Sequence, residues 1–266
     1  MCNPFKVQNF NTKPTFLLNN IAIDIGNTRT KAALFSNGKL VCKEVWEQPT
    51  VQALEKLAYN QNIKNAILSS TANVPKAFEQ HLRLKFRYVR LGTETPLPIT
   101  IIYQTPHTLG KDRIAAVVGA DHLFPDENVL VIDAGTCITM DMVTAAGEFI
   151  GGNISPGVEM RLKAMHHFTA KLPLVERSQS EGDKLKTVLF GDSTETAIRN
   201  GAEMGALMEV TSFMEKCRRR FSPVKVVFTG GDADFFVKNI KTKIFANPNL
   251  VLIGLNKILQ HNVENY

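Results

Sequence analysis

Four cysteines, one tryptophan and four tyrosines in 266 residues leave several protein classes without material. Cys2, Cys42, Cys137 and Cys217 are scattered, with no C-x-x-C or C-x-x-H spacing, so neither a zinc cluster nor a disulfide framework is expected and a reducing compartment fits. No apolar run approaches the roughly 20 residues of a membrane helix, and residues 1–19 lack the apolar centre of a secretion signal. Neither G-x-x-x-x-G-K-S/T nor G-x-G-x-x-G is present, which removes the two commonest phosphate-binding signatures. These absences lead us to expect a cytoplasmic globular protein with a polar N-terminal tail and no membrane partner.

What is present is material for a sizeable core. Apolar residues make up 44% of the chain and charged residues 21%, and the length suits two modest domains or one large α/β unit. A net charge of +6 suits an anionic small substrate without demanding nucleic acid. Ile21-Ala22-Ile23 runs into Asp24-Ile25-Gly26-Asn27-Thr28, and Lys31-Ala32-Ala33-Leu34-Phe35 precedes Ser36-Asn37-Gly38, which reads as strand, tight turn, strand, turn. The unit recurs: Val129-Leu130-Val131-Ile132, Asp133-Ala134-Gly135-Thr136, a strand over 138–143 and a turn at Gly147. The two aspartates lie 109 positions apart, about a domain's length. The expected organisation is a polar tail at 1–19, one domain over 20–127 and a second over 128–266, both α/β. Helices are expected over 51–58, 74–84 and 113–122, then 157–168, 235–239 and 250–261, with one or two more over 195–220. Short strands are expected at 66–69, 88–91 and 224–228, and a charged loop or short helix at 175–186.

The Asp24 turn offers consecutive backbone N–H groups and a hydroxyl, a concave site able to hold phosphate oxygens, with Asp24 placed for a metal ion or its waters and Lys31 for added positive charge. A single such turn reads as an ordinary hairpin; its repetition at Asp133 allows two phosphate loops to face each other across an interdomain cleft and hold a nucleotide. That is the arrangement of the actin, sugar-kinase and heat-shock-protein ATPases, a ribonuclease H-like fold. Thr229-Gly230-Gly231, after a buried strand, stands where that superfamily contacts adenosine. In Gly110-Lys111-Asp112-Arg113, Asp112 reads equally as the N-cap of the following helix and as an acceptor for a substrate hydroxyl proton, while Arg113 offers a fork for a carboxylate.

Taken together these residues resemble the type III pantothenate kinases over about residues 21–260. The resemblance rests on an ordered set. It begins with Asp24 to Lys31, Tyr103 seven residues before Gly110-Lys111-Asp112-Arg113, and Asp133-Ala134-Gly135-Thr136 followed by Thr139 and Asp141. It continues with Gly151-Gly152-Asn153-Ile154-Ser155-Pro156-Gly157, Thr169 to Pro173, Gly191-Asp192-Ser193-Thr194 and Thr229-Gly230-Gly231-Asp232. It implies ATP-dependent phosphorylation of pantothenate at its primary hydroxyl, the first step of coenzyme A biosynthesis. In that frame Asp112 matches the general base, and Tyr103, Gly110, Lys111, Asp112, Arg113 and Thr194 match pantothenate contacts. Asp24, Ile25, Gly26, Asn27, Thr28, Arg29, Thr30, Lys31 and Thr136 match ATP contacts, with Mg²⁺ as the divalent ion. Asp133 matches the site of a monovalent cation, K⁺ or NH₄⁺. Thr194 matches a contact supplied by the partner subunit, which implies a homodimer with a shared site. Ser193 stands where the family commonly has Asn, and the tail at 1–19 lies outside the family pattern. Two rivals keep the fold: another small-molecule kinase, and a nucleotide-binding transcription accessory factor without turnover.

Overall fold

The computed structural model describes residues 19–177 and 189–264; the polar tail up to residue 18 and most of the stretch expected at 175–186 lie outside the described residues. Two compact units divide the chain, and each is built on its own mixed sheet.

The first sheet contains β1 (Asn19–Ile25), β2 (Thr30–Ser36), β3 (Lys39–Trp46), β4 (Ile63–Ser70) and β5 (Arg87–Arg90), in the order β3-β2-β1-β4-β5. β1, β2 and β3 are antiparallel neighbours, while β1, β4 and β5 run parallel. The β2–β3 reversal uses Asn37 at φ 50° and Gly38 at φ 75°, the left-handed pair that a two-residue hairpin needs. Alternation then sorts the side chains. Ile21, Ile23 and Ile25 join Leu54 and Leu57 of α1 (Val51–Ala58) and Phe78 and Leu82 of α2 (Lys76–Lys85) in one core. Asn20, Ala22 and Asp24 point to the opposite face, where Asn20 donates to Asn256 (2.9 Å) of the C-terminal helix α7 (Leu250–Glu264). α7 in turn packs on α3 (Lys111–Leu123), Gly254 lying so close to the Ala115 carbonyl that a side chain there would overlap it. α3 is buried at every position from Arg113 to Ala120, the pattern of a helix with no solvent face along that stretch.

The second sheet repeats the plan. β7 (Asn128–Ala134), β8 (Cys137–Val143) and β9 (Glu148–Pro156) are antiparallel neighbours, β10 (Val224–Thr229) and β11 (Phe245–Ala246) add in parallel on the far side of β7, and the short β6 (Thr100–Ile101) extends the edge at β9. Setting β6 aside, the order is that of the first sheet. Its core joins Leu130, Ile132 and Phe228 to residues of α4 (Val158–His167), α5 (Thr194–Arg220) and α6 (Ala233–Asn239), with the Phe228 and Phe236 rings stacked at 5.9 Å between centroids.

Three expectations are corrected. The compact units are not contiguous halves: one takes residues up to Pro98, Thr105–His122 and Val251 onward, the other Ile99–Gln104 and Leu123–Leu250. The cause is long-range pairing, since β6 is claimed by β9 and α7 by the first sheet. The segment at 195–220, expected as one or two helices, is a single uninterrupted helix of 27 residues. α3 begins at Lys111, two residues earlier than expected, so Asp112 lies inside the first turn and is not its N-cap. Cys42 on β3 is disulfide-bonded, a pairing that spacing along the chain does not disclose, while Cys137 and Cys217 are free.

Candidate active site

In the first unit the chemistry gathers where β1 ends. The Gly26 N–H donates to the Arg29 carbonyl (3.1 Å) and closes a turn on which Asn27, Thr28 and Arg29 are exposed. Ile25 and Thr30, both buried, pair at its base. One step back Asp24 stands opposite Lys31, so the two half-buried opposite charges share a face as adjacent cross-strand residues. On the other side of β1, Asp24 is in register with Ser69 of β4. The loop that follows is pinned to the same strand end: the Thr71 N–H donates to the Ile25 carbonyl (3.0 Å), and Ser70 Oγ accepts from the Ala72 N–H (3.1 Å). An anion-sized turn therefore sits at the carboxyl end of the first strand, the edge at which open α/β sheets bind ligands.

Gly110 to Arg113 belong to the same unit. The Gly110 carbonyl accepts the Ile114 N–H (3.1 Å), which makes Gly110 the boundary residue of α3. Asp112 Oδ1 accepts the Arg113 N–H (2.9 Å) and lies 2.6 Å from the point a Cβ on residue 110 would occupy. A side chain at 110 would push that carboxylate out of the position it holds over the helix start. Placed in the first turn, the Asp112 carboxylate is favoured by the positive end of the helix dipole. Arg113 is buried, and the Lys111 Nζ is buried with no hydrogen-bond partner among the described residues. Tyr103, expected with this cluster, belongs to the other unit, where its ring packs on Phe149 (5.9 Å between centroids) and over Gly151 of β9.

The second unit places Asp133 at the end of β7 as Asp24 ends β1. Gly135 donates to the Cys137 carbonyl (2.9 Å), Thr136 is exposed at the turn, and Thr139 and Thr229 flank Asp133 on β8 and β10. Two outside segments close on this turn. Gly157, the N-cap of α4, donates to the Thr136 carbonyl (3.1 Å). Gly230, at φ 95°, occupies a position where any side chain would collide with the Ala134 carbonyl and the Asp133 carboxylate, and the Asp232 N–H donates to that same carbonyl (2.9 Å). Arg177 pairs with Asp232 (2.5 Å) and stacks over Phe235 (5.3 Å to the ring centroid). Neither Arg177 nor Ser69 stood out in the sequence, because each matters only through a partner far along the chain.

Thr194 is exposed as the first residue of α5. Ser193 before it is the N-cap in a reciprocal pair with Thr196: Ser193 Oγ accepts the Thr196 N–H (3.2 Å) and Thr196 Oγ1 accepts the Ser193 N–H (3.0 Å). Serine and asparagine cap helices about equally well, so Ser193 fills a role open to either residue. His166 bonds the Leu172 carbonyl (2.8 Å) through Nδ1, and among the described residues no group of three or more His, Cys, Asp or Glu is placed to hold a metal.

Two sheets of one strand order, each headed by a strand that ends in aspartate and turns back on itself, define a protein of the actin, sugar-kinase and heat-shock-protein ATPase fold. Solved structures agree on the fold. A structure described as a Baf family transcriptional activator from Campylobacter jejuni matches with a TM-score of 0.58 at 22% identity, over 92% of this chain and 99% of that one. The activator of the 2-hydroxyisocaproyl-CoA dehydratase from Clostridium difficile, solved with bound ADPNP, matches with a TM-score of 0.53 at 14% identity, over 93% and 96%. The family model for type III pantothenate kinase matches residues 20–216. Curated type III pantothenate kinases of Phocaeicola vulgatus and Cytophaga hutchinsonii are each 42% identical to it, over 91% of this chain and 98% of the first, and over 92% of this chain and all of the second. The chain belongs to the type III pantothenate kinase family.

Proposed function

We propose that this chain phosphorylates pantothenate at its primary hydroxyl with ATP, with Asp112 as the base, and so opens coenzyme A biosynthesis. The observation that carries the reading is the repeated aspartate-ended turn at the head of both sheets, in a chain of this family. Asp112 takes the hydroxyl proton as the oxygen attacks the γ-phosphorus; the new O–P bond forms, the bond to the β,γ-bridging oxygen breaks, and ADP leaves. Phosphoryl transfer of this kind depends chiefly on positioning and charge neutralisation.

In this reading residues 24–31 and Thr136 hold ATP, and Tyr103, Gly110 to Arg113 and Thr194 hold pantothenate. The Lys111 amine, buried without an acceptor among the described residues, suits an anionic oxygen of the substrate. Asp24 supplies the hard oxygen that Mg²⁺ prefers, and the lack of a three-carboxylate cluster among the described residues fits an ion that binds through one or two carboxylates plus substrate phosphates. When bound, Mg²⁺ neutralises charge on the transferring phosphate. Asp133, between two threonine-bearing strands, is assigned to a monovalent cation, K⁺ or NH₄⁺.

A homodimer is part of the proposal. In the second unit Phe168 and Phe190 are 81% and 79% exposed, and Ile154, Leu174, Leu189 and Met208 are exposed as well, apolar side chains available to a partner subunit. A cytoplasmic location is part of the proposal. The reading needs no nucleic acid: Arg218, of the basic run at 218–220, is bound at a helix end to Thr242 Oγ1 and the Lys243 carbonyl, both at 3.0 Å. The test is incubation of the purified chain with pantothenate, MgATP and potassium, with 4′-phosphopantothenate read by mass. Turnover of a sugar or acetate in its place overturns the assignment.

A further inference from the structure

Asp24 shares its face of β1 with Asn20 and Ala22, and their register partners on β4 are Ser69, Asn65 and Ile67. Polar residues thus meet at both ends of one strand pair, all buried except the half-buried Asp24. At the far end the amides are satisfied, since Asn65 donates to Asn20 (2.9 Å) and Asn20 to Asn256 (2.9 Å). At the Asp24 end Ser69 is 0% exposed, and its hydroxyl has no hydrogen-bond partner among the described residues. A buried hydroxyl left unbonded is destabilising, and an alanine in its place carries no such penalty. The second sheet repeats the placement, with Thr229, 2% exposed, beside Asp133 on β10. Each aspartate-ended strand therefore has a buried hydroxyl residue as its parallel neighbour.

We propose that Ser69 is a positioning residue for Asp24: its Oγ–H donates to one carboxylate oxygen of Asp24 when the other turns to the divalent ion of the nucleotide. The inference rests on the reading of residues 24–31 as the nucleotide loop. Parallel strands lie about 4.8 Å apart, a span that a serine hydroxyl and an aspartate carboxylate can bridge. No bond is made or broken at Ser69; its effect is to fix the orientation of the ligating carboxylate. Residues that orient a metal ligand in this way typically cost about 10–100-fold in metal affinity or activity when removed.

The experiment titrates Mn²⁺ into the full chain with a non-hydrolysable ATP analogue present, followed by electron paramagnetic resonance, and measures the Mg²⁺ requirement of turnover in parallel. Ser69→Ala and Ser69→Cys are compared with wild type and with Asp24→Ala. Cysteine keeps the shape with a somewhat larger atom but is only a weak donor, so beside alanine, which is smaller, it separates the hydrogen bond from packing and decides the matter should the alanine variant fail to fold. Both Ser69 variants are expected to weaken Mn²⁺ binding about tenfold or more while melting close to wild type. Wild-type titration in Ser69→Cys, with Mn²⁺ binding lost in Asp24→Ala, overturns the proposal and leaves Ser69 a packing residue. Wild-type titration in Asp24→Ala as well overturns the nucleotide-loop reading itself, and the role of Ser69 with it.

Discussion

The two sheets share a strand order but differ one residue past the paired hydroxyl. In the first, Ser69 is followed by Ser70, whose side chain folds onto the Ala72 backbone and whose loop is tied to the Ile25 carbonyl. In the second, Thr229 is followed by Gly230 at φ 95°, where the chain passes hard against Ala134 and Asp133. One copy of the turn keeps side-chain hydrogen bonds, and the other gives up the side chain so that backbone can close on backbone. The helix that brings Asp112 belongs to the first unit, whereas Thr194 and the Thr229-Gly230 turn belong to the second. In our reading, a repeated scaffold has taken its proton acceptor into one copy and its adenosine turn into the other.

The largest effect should come from the residue that the repeat does not duplicate. Asp112→Asn keeps the shape and removes the proton acceptor, so kcat should fall by about 10²–10⁴ with nucleotide binding retained, as measured by steady-state kinetics beside calorimetric ADP titration. Near-normal kcat would reduce Asp112 to a helix-start residue. The same variant tests the shared site. Mixed dimers of Asp112→Asn with Thr194→Ala, confirmed by differential tags, should regain activity because one of their two sites carries neither substitution; no rescue, with each parent impaired, would refute sharing between subunits.

The turns themselves come next. Gly230→Ala should cost about 1–3 kcal/mol through its disallowed conformation, and more through displacement of the Ala134 carbonyl, whereas Ser70→Ala should cost about 1 kcal/mol for a lost hydrogen bond. Equal losses in urea melts would mean that the two turns are alike after all. The aspartates should then separate by cation. Asp24→Ala should raise the Mg²⁺ requirement about tenfold or more through loss of a hard oxygen ligand, and Asp133→Ala should flatten the K⁺ response. Titrations with both ions that came out reversed would exchange the two assignments.

The smallest effect concerns the edge of the first sheet, where Glu79 of α2 binds Arg83 (2.7 Å), Arg90 of β5 (2.5 Å) and the Tyr88 hydroxyl (3.2 Å). Burial alone would raise the Glu79 carboxyl, but the Arg83 hydrogen bond and the Arg90 charge together hold it below its usual range; burial and Glu79 push the Tyr88 phenol up. A lowered folded pKa contributes stability above the unfolded value of about 4.5, and that stability is lost as pH falls through the folded value. Glu79→Gln should therefore melt a little below wild type at pH 7, and the gap should close as the pH is taken toward 3. A gap that persists in acid would assign the loss to packing.

Local chemistry was enough to make much of this legible along the chain. The aspartate-ended turns, the Asn37-Gly38 reversal and the helix over 51–58 follow from strand alternation and turn residues that act within a few positions, and the ordered motifs carried the family. Asp112, Asp24 and Asp133 could be named as candidates for the same reason. Only the tertiary structure decided that α7 returns to the first sheet, that Tyr103 sits with β9, that Asp112 lies within its helix, and that Ser69 stands beside Asp24. Apart from the helix start at Asp112, which is set locally, each depends on partners brought together by burial and strand register across 40 or more residues, as Asp24 meets Ser69 and Asn20 meets Asn256. Periodicity shows which face of a segment is buried, but not which distant segment will cover it.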